Sequence, residues 1–198
     1  MSNQPPLLDE TYWNNLYKEN ETRWDMQQVS PPLKAYADQL KNKELRILIP
    51  GCGNSYEAEY LLQQGFNNIT VIDIAALPVE GLKEKLKAYP YVKILQGDFF
   101  EHSGEYDLIL EQTFFCALNP AMRTNYVKKI HQLLAPGGKL AGVLFASEFE
   151  NEGPPFGGTK EEYETIFNPY FTLHTLSPCY NSYSKRMGNE FFICFIKK

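Results

Sequence analysis

The chain is expected to be an α/β protein with a doubly wound, mostly parallel sheet covered by helices on both faces, and three observations predict this. Short apolar runs alternate with helix-period segments up to Phe145, and such crossover segments are what parallel strands require. The turn Gly51-Cys52-Gly53 closes the first of those runs. After Phe145 the order becomes helix, strand, strand, and the short link between the last two favours an antiparallel hairpin at one end of the sheet.

The elements follow in order. An N-terminal segment holding Trp13, Leu16, Tyr17 and Trp24 ends at Ser30-Pro31-Pro32, and a helix is expected over 33–40. The first strand spans 45–49, and 57–64 reads as a helix stopped by Gly65, a residue suited to a left-handed cap. A second strand covers 69–73, a helix 78–88, and the third and fourth strands 91–96 and 106–110. Helix 120–134 shows the clearest period, with Met122, Tyr126, Ile130, Leu133 and Leu134 on one face and Pro136-Gly137-Gly138 as its stop. The fifth strand is 139–145, followed by the loop Glu152-Gly153-Pro154-Pro155-Phe156-Gly157-Gly158, a helix over 160–167, and strands over 172–180 and 191–196. With 198 residues and no internal repeat or linker, one domain is expected.

A net charge of −5 and a pI near 5.3 exclude a general grip on phosphate backbones, which needs clustered cations, so no nucleic-acid partner is expected. No apolar stretch approaches about 18 residues, and Met1-Ser2-Asn3-Gln4-Pro5-Pro6 lacks a basic start, so a soluble, cytoplasmic monomer with no membrane partner is expected. Cys52, Cys116, Cys179 and Cys194 show no Cys-x-x-Cys spacing and the histidines form no pair, so no metal is expected. Cys52 has no cationic neighbour in sequence to lower its pKa and reads as a packing residue.

The chemistry starts at the glycine turn. Bare backbone at a strand's C-terminal end admits a ligand, and a carboxylate about 20 residues on, here Asp73, can grip a ribose diol. A dinucleotide fingerprint would place a third glycine at Tyr56, beside a pyrophosphate, which weighs against NAD or FAD. S-adenosylmethionine needs the same ribose grip without the phosphates. Gly97-Asp98-Phe99-Phe100 offers an adenine amine a carboxylate with a ring beside it; a purely structural strand end is the competing account. Glu111-Gln112 ends the fourth strand ahead of Thr113-Phe114-Phe115-Cys116, whose rings serve either a core or a pocket, and no sequence neighbour gives Glu111 a role. Trp13 and Trp24 can cover a cation or simply staple the N-terminal segment. Lys185-Arg186 can draw in an anion, but reads first as a solvated basic turn.

Together these residues resemble the thiopurine S-methyltransferase family, and within it the plant-type thiol and halide methyltransferases. The matching segments are Trp13-x-x-x-Tyr17, Thr22-Arg23-Trp24-Asp25, Ile49-Pro50-Gly51-Cys52-Gly53, Asp73, Gly97-Asp98-Phe99-Phe100, the run from Thr113 to Arg123 around Phe115-Cys116-Ala117, Leu134-x-Pro136-x-Gly138 and Gly153-Pro154-Pro155-Phe156. The resemblance implies a seven-stranded, Rossmann-like methyltransferase that uses S-adenosylmethionine beneath an N-terminal lid (residues 1–32). It implies cofactor contacts at Trp13, Tyr17, Trp24, Gly51, Gly53, Asp73, Asp98, Phe99 and Gln112, and an acceptor pocket at Phe114, Phe115 and Phe156. Plant members commonly carry tryptophan at Tyr17 and tyrosine at Gln112, and the segment 181–186 matches poorly.

With no recognisable histidine dyad, the expected acceptor is a small soft nucleophile: a thiol, sulfide, halide or thiopurine. The alternatives are oxygen or nitrogen methylation of a small metabolite, with Glu111 or a tyrosine as base, and, from another class, a nucleotide-binding oxidoreductase or a non-catalytic cofactor-binding protein. Asp73→Ala is expected to weaken cofactor binding and leave folding stability little changed.

Overall fold

The computed structural model describes residues 7–150 and 153–198. Residues 1–6 of the expected lid and Glu152 of the expected loop lie outside the described residues. Helix α1 (Glu10–Lys18) starts where the Asp9 carboxylate accepts the Tyr12 N–H at 2.9 Å, and none of its residues is buried. Helix α2 (Pro31–Ala37) starts earlier than expected because proline in a first turn gives up an N–H that has no helical partner anyway.

Strands β1 (Ile47–Pro50), β2 (Ile69–Asp73), β3 (Lys93–Gln96), β4 (Tyr106–Gln112) and β5 (Leu134–Phe145) run parallel. Helices α3 (Tyr56–Gln63), α4 (Ala76–Lys85) and α5 (Arg123–Leu133) fall between them, and α6 (Lys160–Phe167), β6 (Phe171–Pro178) and β7 (Glu190–Lys197) complete the chain. The seven strands lie in the order β3-β2-β1-β4-β5-β7-β6, with β7 inserted antiparallel to both β5 and β6. The expected end hairpin is therefore present, with its second strand on the inside.

Period-two burial on the central strands feeds two cores. Ile47 and Ile49 pack with Leu108 and Leu110 on one face, while Leu48 and Ile109 point into the other. Being buried on both faces, β1 and the middle of β4 read as unbroken apolar runs.

One boundary differs in kind. Pro136-Gly137-Gly138 was expected to be a loop separating helix from strand, but α5 ends at Leu133 and β5 begins at once, with Leu134 opposite Tyr106. The register then shifts before Leu108 meets Lys139, so the proline and glycines form an irregularity inside β5, where a missing N–H is tolerated. Residues 120–122 likewise form a 3-10 turn ahead of α5 instead of its first turn.

The chain winds outward from β1 through β2 to β3, then returns to β4 on β1's other side. That reversal opens a crevice beyond the carboxyl ends of β1 and β4, where a doubly wound sheet collects ligands.

Candidate active site

At the end of β1 the backbone turns left-handed at Gly51 (φ +55°) and Gly53 (φ +49°). A Cβ at Gly51 would lie 2.2 Å from the Phe114 ring, so the loop and the turn after β4 approach as only glycine allows. Asp73, at the tip of β2, ties this loop down: it accepts the Gly53 N–H at 2.8 Å on Oδ2 and the Ala75 N–H at 2.9 Å on Oδ1. Burial pushes its pKa up, and those N–H groups counteract part of the rise. Each oxygen keeps a lone pair for a further donor. Cys52 is buried in the apolar core and its thiol pKa is raised by desolvation, so it is a packing residue.

After β3, Asp98 Oδ1 accepts the Phe100 N–H at 2.8 Å, and the Phe99 ring packs edge-on against Phe114 at 5.1 Å. After β4, Thr113 adopts φ +58° and the turn 113–116 folds over Glu111. Glu111 is fully buried; its Oε1 accepts the Phe114 and Phe115 N–H groups at 2.8 and 2.9 Å, and Oε2 accepts the Tyr126 hydroxyl. Desolvation lifts its pKa to about 7 against the pull of these donors. Glu111 is thus an anchor for the turn and has no exposed surface to offer an acceptor, which removes the candidate base named above.

Above the crevice, the Trp24 ring meets Trp13 at 5.6 Å and Tyr17 at 5.7 Å. The N-terminal segment is tied at several points: Asn14 Oδ1 accepts the Leu77 N–H at the start of α4, Glu10 accepts from Gln96, and Asp25 accepts from Asn54 in the glycine loop. Burial, then the nearby Asp73 charge, drives the Tyr17 hydroxyl pKa upward.

Between the N-terminal segment and the sheet lies a cleft of about 1580 Å³ walled by Trp13, Tyr17, Trp24, Gly51, Asp73, Asp98, Phe99 and Phe114 among others. An ordinary small-ligand pocket spans about 300–1,000 Å³, so this one has room for a nucleoside cofactor and an acceptor together. Gly53 and Gln112 instead line a small pocket of about 50 Å³ that also borders Gly51. Two expected acceptor contacts lie elsewhere. Phe115 is 1% exposed, packed among Tyr126, Tyr163 and Phe167 with the Arg123 guanidinium over its ring, so it belongs to the core. Phe156 is half-buried and absent from the cleft wall; its N–H donates to the Cys116 carbonyl at 2.7 Å, pinning the loop whose Pro154 and Pro155 do reach the cleft. The reading of Arg186 as solvated is also corrected: its side chain is 12% exposed and lines the cleft. Of its partners Glu190 lies four residues on, but the Trp24 carbonyl is 162 residues away and leaves no local signal in the sequence.

These residues fit S-adenosylmethionine. Asp73 presents acceptors for a ribose diol, and Gln112 Oε1 is buried without a hydrogen-bond partner among the described residues, as an acceptor awaiting an ammonium would be. Such a sheet order with this crevice suits a nucleoside-containing cofactor, and the match to known proteins assigns an S-adenosylmethionine-dependent methyltransferase. The sequence model of the family described as thiopurine S-methyltransferase matches residues 8–190, and the chain belongs to that family. An Arabidopsis thaliana protein named probable thiol methyltransferase 2 is 30% identical over 162 residues, covering 79% of this chain and 71% of the relative. Thiopurine S-methyltransferase of Vibrio campbellii is 30% identical over 183 residues, covering 83% and 84%. The crystal structure of Burkholderia thailandensis 1,6-didemethyltoxoflavin-N1-methyltransferase with bound S-adenosylhomocysteine superposes with a TM-score of 0.80 at 18% identity, over 96% of this chain and 87% of that one, and shares the fold. The oxidoreductase and the non-catalytic alternatives fall with this assignment. Among the described residues no helix is long and apolar enough to cross a membrane, and no metal-holding cluster occurs.

Protection of the N-terminal segment by ligand is testable. Because α1 buries no residue, segment 8–31 is expected to be cut readily by trypsin at Lys18 or Arg23 in the free protein and protected by S-adenosylhomocysteine. Equal cleavage rates would make Trp13 and Trp24 ordinary packing residues.

Proposed function

We propose that this methyltransferase acts on a small soft nucleophile, a thiol, sulfide, halide or thiopurine, and works as a one-domain cytoplasmic monomer. The observation that carries the reading is the composition of the cleft beyond the glycine loop. Phe114, Cys116, Leu118, Met122 and Phe145 give it apolar, polarizable walls, and no histidine lines it among the described residues. Glu111, buried behind those walls, cannot reach an acceptor, and the raised Tyr17 pKa makes that hydroxyl a poor base. Relatives named for thiol, thiocyanate and thiopurine methylation support the same acceptor class.

When bound, S-adenosylmethionine supplies a methyl group on a sulfonium and departs as a neutral thioether, so no acid is asked of the protein. Asp73 would hold the ribose, Gln112 the ammonium, and Asp98 with Phe99 the adenine. Trp13 and Trp24 would close over the site, excluding water from a small hydrated anion and facing a cation with aromatic rings. What remains is to hold the nucleophile in line at near-attack distance, which lowers the barrier without proton transfer.

The test is turnover against pH for aromatic and aliphatic thiols of differing acidity. The rate is expected to rise as each thiolate forms, with a midpoint that follows the acceptor; an ordinary thiol, with pKa about 8.5, is a few per cent ionised at neutral pH. A midpoint that stays fixed as acceptor acidity changes would mean that the protein supplies a base, and oxygen or nitrogen methylation would replace this reading.

A further inference from the structure

The N-terminal segment is held from two sides. Its bonds to Leu77, Gln96 and Asn54 reach α4, β3 and the glycine loop, all on the half of the sheet that carries β1 to β3. Asp25 makes the last of these, and the residue before it is met from the opposite half: Arg186 Nη2 donates to the Trp24 carbonyl at 2.8 Å, across 162 positions of sequence. Arg186 is a firm base for that contact. It ends the turn Ser184–Arg186 between β6 and β7, where its own N–H donates to the Tyr183 carbonyl at 2.7 Å and its carbonyl accepts the Asn189 N–H at 2.9 Å. Its Nη1 lies buried 3.5 Å from Oε1 of Glu190, a carboxylate 4% exposed on β7, so the guanidinium already has its counter-ion. Glu190 stands opposite Phe145 in the β5–β7 ladder, and the guanidinium carbon is 5.7 Å from that ring centre. The other end is loose by comparison, since α1 buries no residue and Arg23, next to Trp24, is 88% exposed. A planar guanidinium serves a carboxylate and a carbonyl at once, and its charge strengthens the hydrogen bond that it donates.

We infer that Arg186 is a positioning residue for methyl transfer: anchored on Glu190, it fixes the Trp24 carbonyl and so holds the aromatic wall of Trp24, Trp13 and Tyr17 over the cofactor. The inference rests on the reading that Trp13 and Trp24 close over the site. Arg186 acts through Trp24, whose ring meets Trp13 at 5.6 Å and Tyr17 at 5.7 Å, so a displaced Trp24 displaces both neighbours. Without the anchor, the segment has to be ordered at the moment the cofactor binds. That ordering cost is drawn from the affinity, whereas a segment already held in place binds without it.

Both tryptophans of the chain, Trp13 and Trp24, lie in this segment, so tryptophan emission reports on it without a label. The test measures acrylamide quenching of that emission, and S-adenosylhomocysteine affinity by calorimetry, in the full chain at a temperature where circular dichroism shows it folded. Removing the arginine alone would strand a buried carboxylate, so the variant carries Arg186→Gln together with Glu190→Gln. It is expected to be quenched more readily than the wild type and to bind S-adenosylhomocysteine about tenfold more weakly. Wild-type quenching or wild-type affinity overturns the inference; lost urea stability beside either would mark the pair as a structural prop of the β6–β7 turn. If the double variant does not fold, Arg186→Lys decides by the same two readouts. Lysine keeps a charge beside Glu190 but lacks the fork that reaches both partners, so both readouts are expected to shift in the same direction, and wild-type values overturn the inference. The wild type tests the underlying reading separately: emission that bound S-adenosylhomocysteine leaves unchanged would remove the closure of Trp13 and Trp24 over the cofactor, and this inference with it.

Discussion

Replacing Glu111 by alanine is expected to cost about 4 kcal/mol of folding stability, because two backbone N–H groups and a tyrosine hydroxyl would be orphaned around a new cavity. Those groups are the Phe114 and Phe115 amides and Tyr126, all of which converge on this one carboxylate. Glu111→Gln separates packing from charge, since its carbonyl can accept both amides and its NH2 can donate to the Tyr126 oxygen. The pH dependence has a definite sign. The folded-state pKa of about 7 lies above the ordinary 4.5, so the folded chain keeps a proton that the unfolded chain releases. Glu111's stabilising contribution is therefore complete below about pH 4.5 and is lost as pH rises to about 7. At 1.36 kcal/mol per pKa unit the loss is at most roughly 3 kcal/mol. Glu57, Asp73 and Glu190 are also buried acids with raised pKa values, so the diagnostic quantity is the difference between wild type and Glu111→Gln. Urea unfolding between pH 4 and 8 measures it; parallel curves would show that folding leaves the pKa of Glu111 unchanged.

Asp73→Ala is expected to weaken S-adenosylhomocysteine binding by about 2–3 kcal/mol, roughly a hundredfold, through loss of charge-assisted bonds to the ribose. Its clasp on Gly53 and Ala75 adds a second effect that revises the expectation of unchanged stability. Two amides lose their acceptor, so the variant should also unfold about 1–2 kcal/mol more easily. Calorimetric titration and urea unfolding on the same preparation report the two separately. A folded variant with wild-type affinity would remove Asp73 from the site.

The expected acceptor contacts show why loop residues were hard to assign. Phe114 and Phe115 are adjacent aromatics in a turn with no helical or strand period, and Thr113's left-handed backbone sends one to the cleft and the other to the core. No sequence pattern distinguishes them. Gln112, by contrast, closes a strand, and its place beside the glycine loop follows from β4 pairing with β1.

The sequence by itself determined the alternation of strands and helices, the glycine turn at the end of β1, the carboxylate at the end of β2 and the pair of tryptophans ahead of the sheet. Each is a local matter of period, backbone freedom or spacing along one chain segment. Only the tertiary structure decided that β7 enters between β5 and β6, that Glu111 is a buried anchor instead of a base, and that Arg186 faces the cleft. What a charged side chain does depends on the solvent and partners around it. For Arg186 those partners are Glu190, nearby in the chain, and the carbonyl of Trp24, 162 residues away.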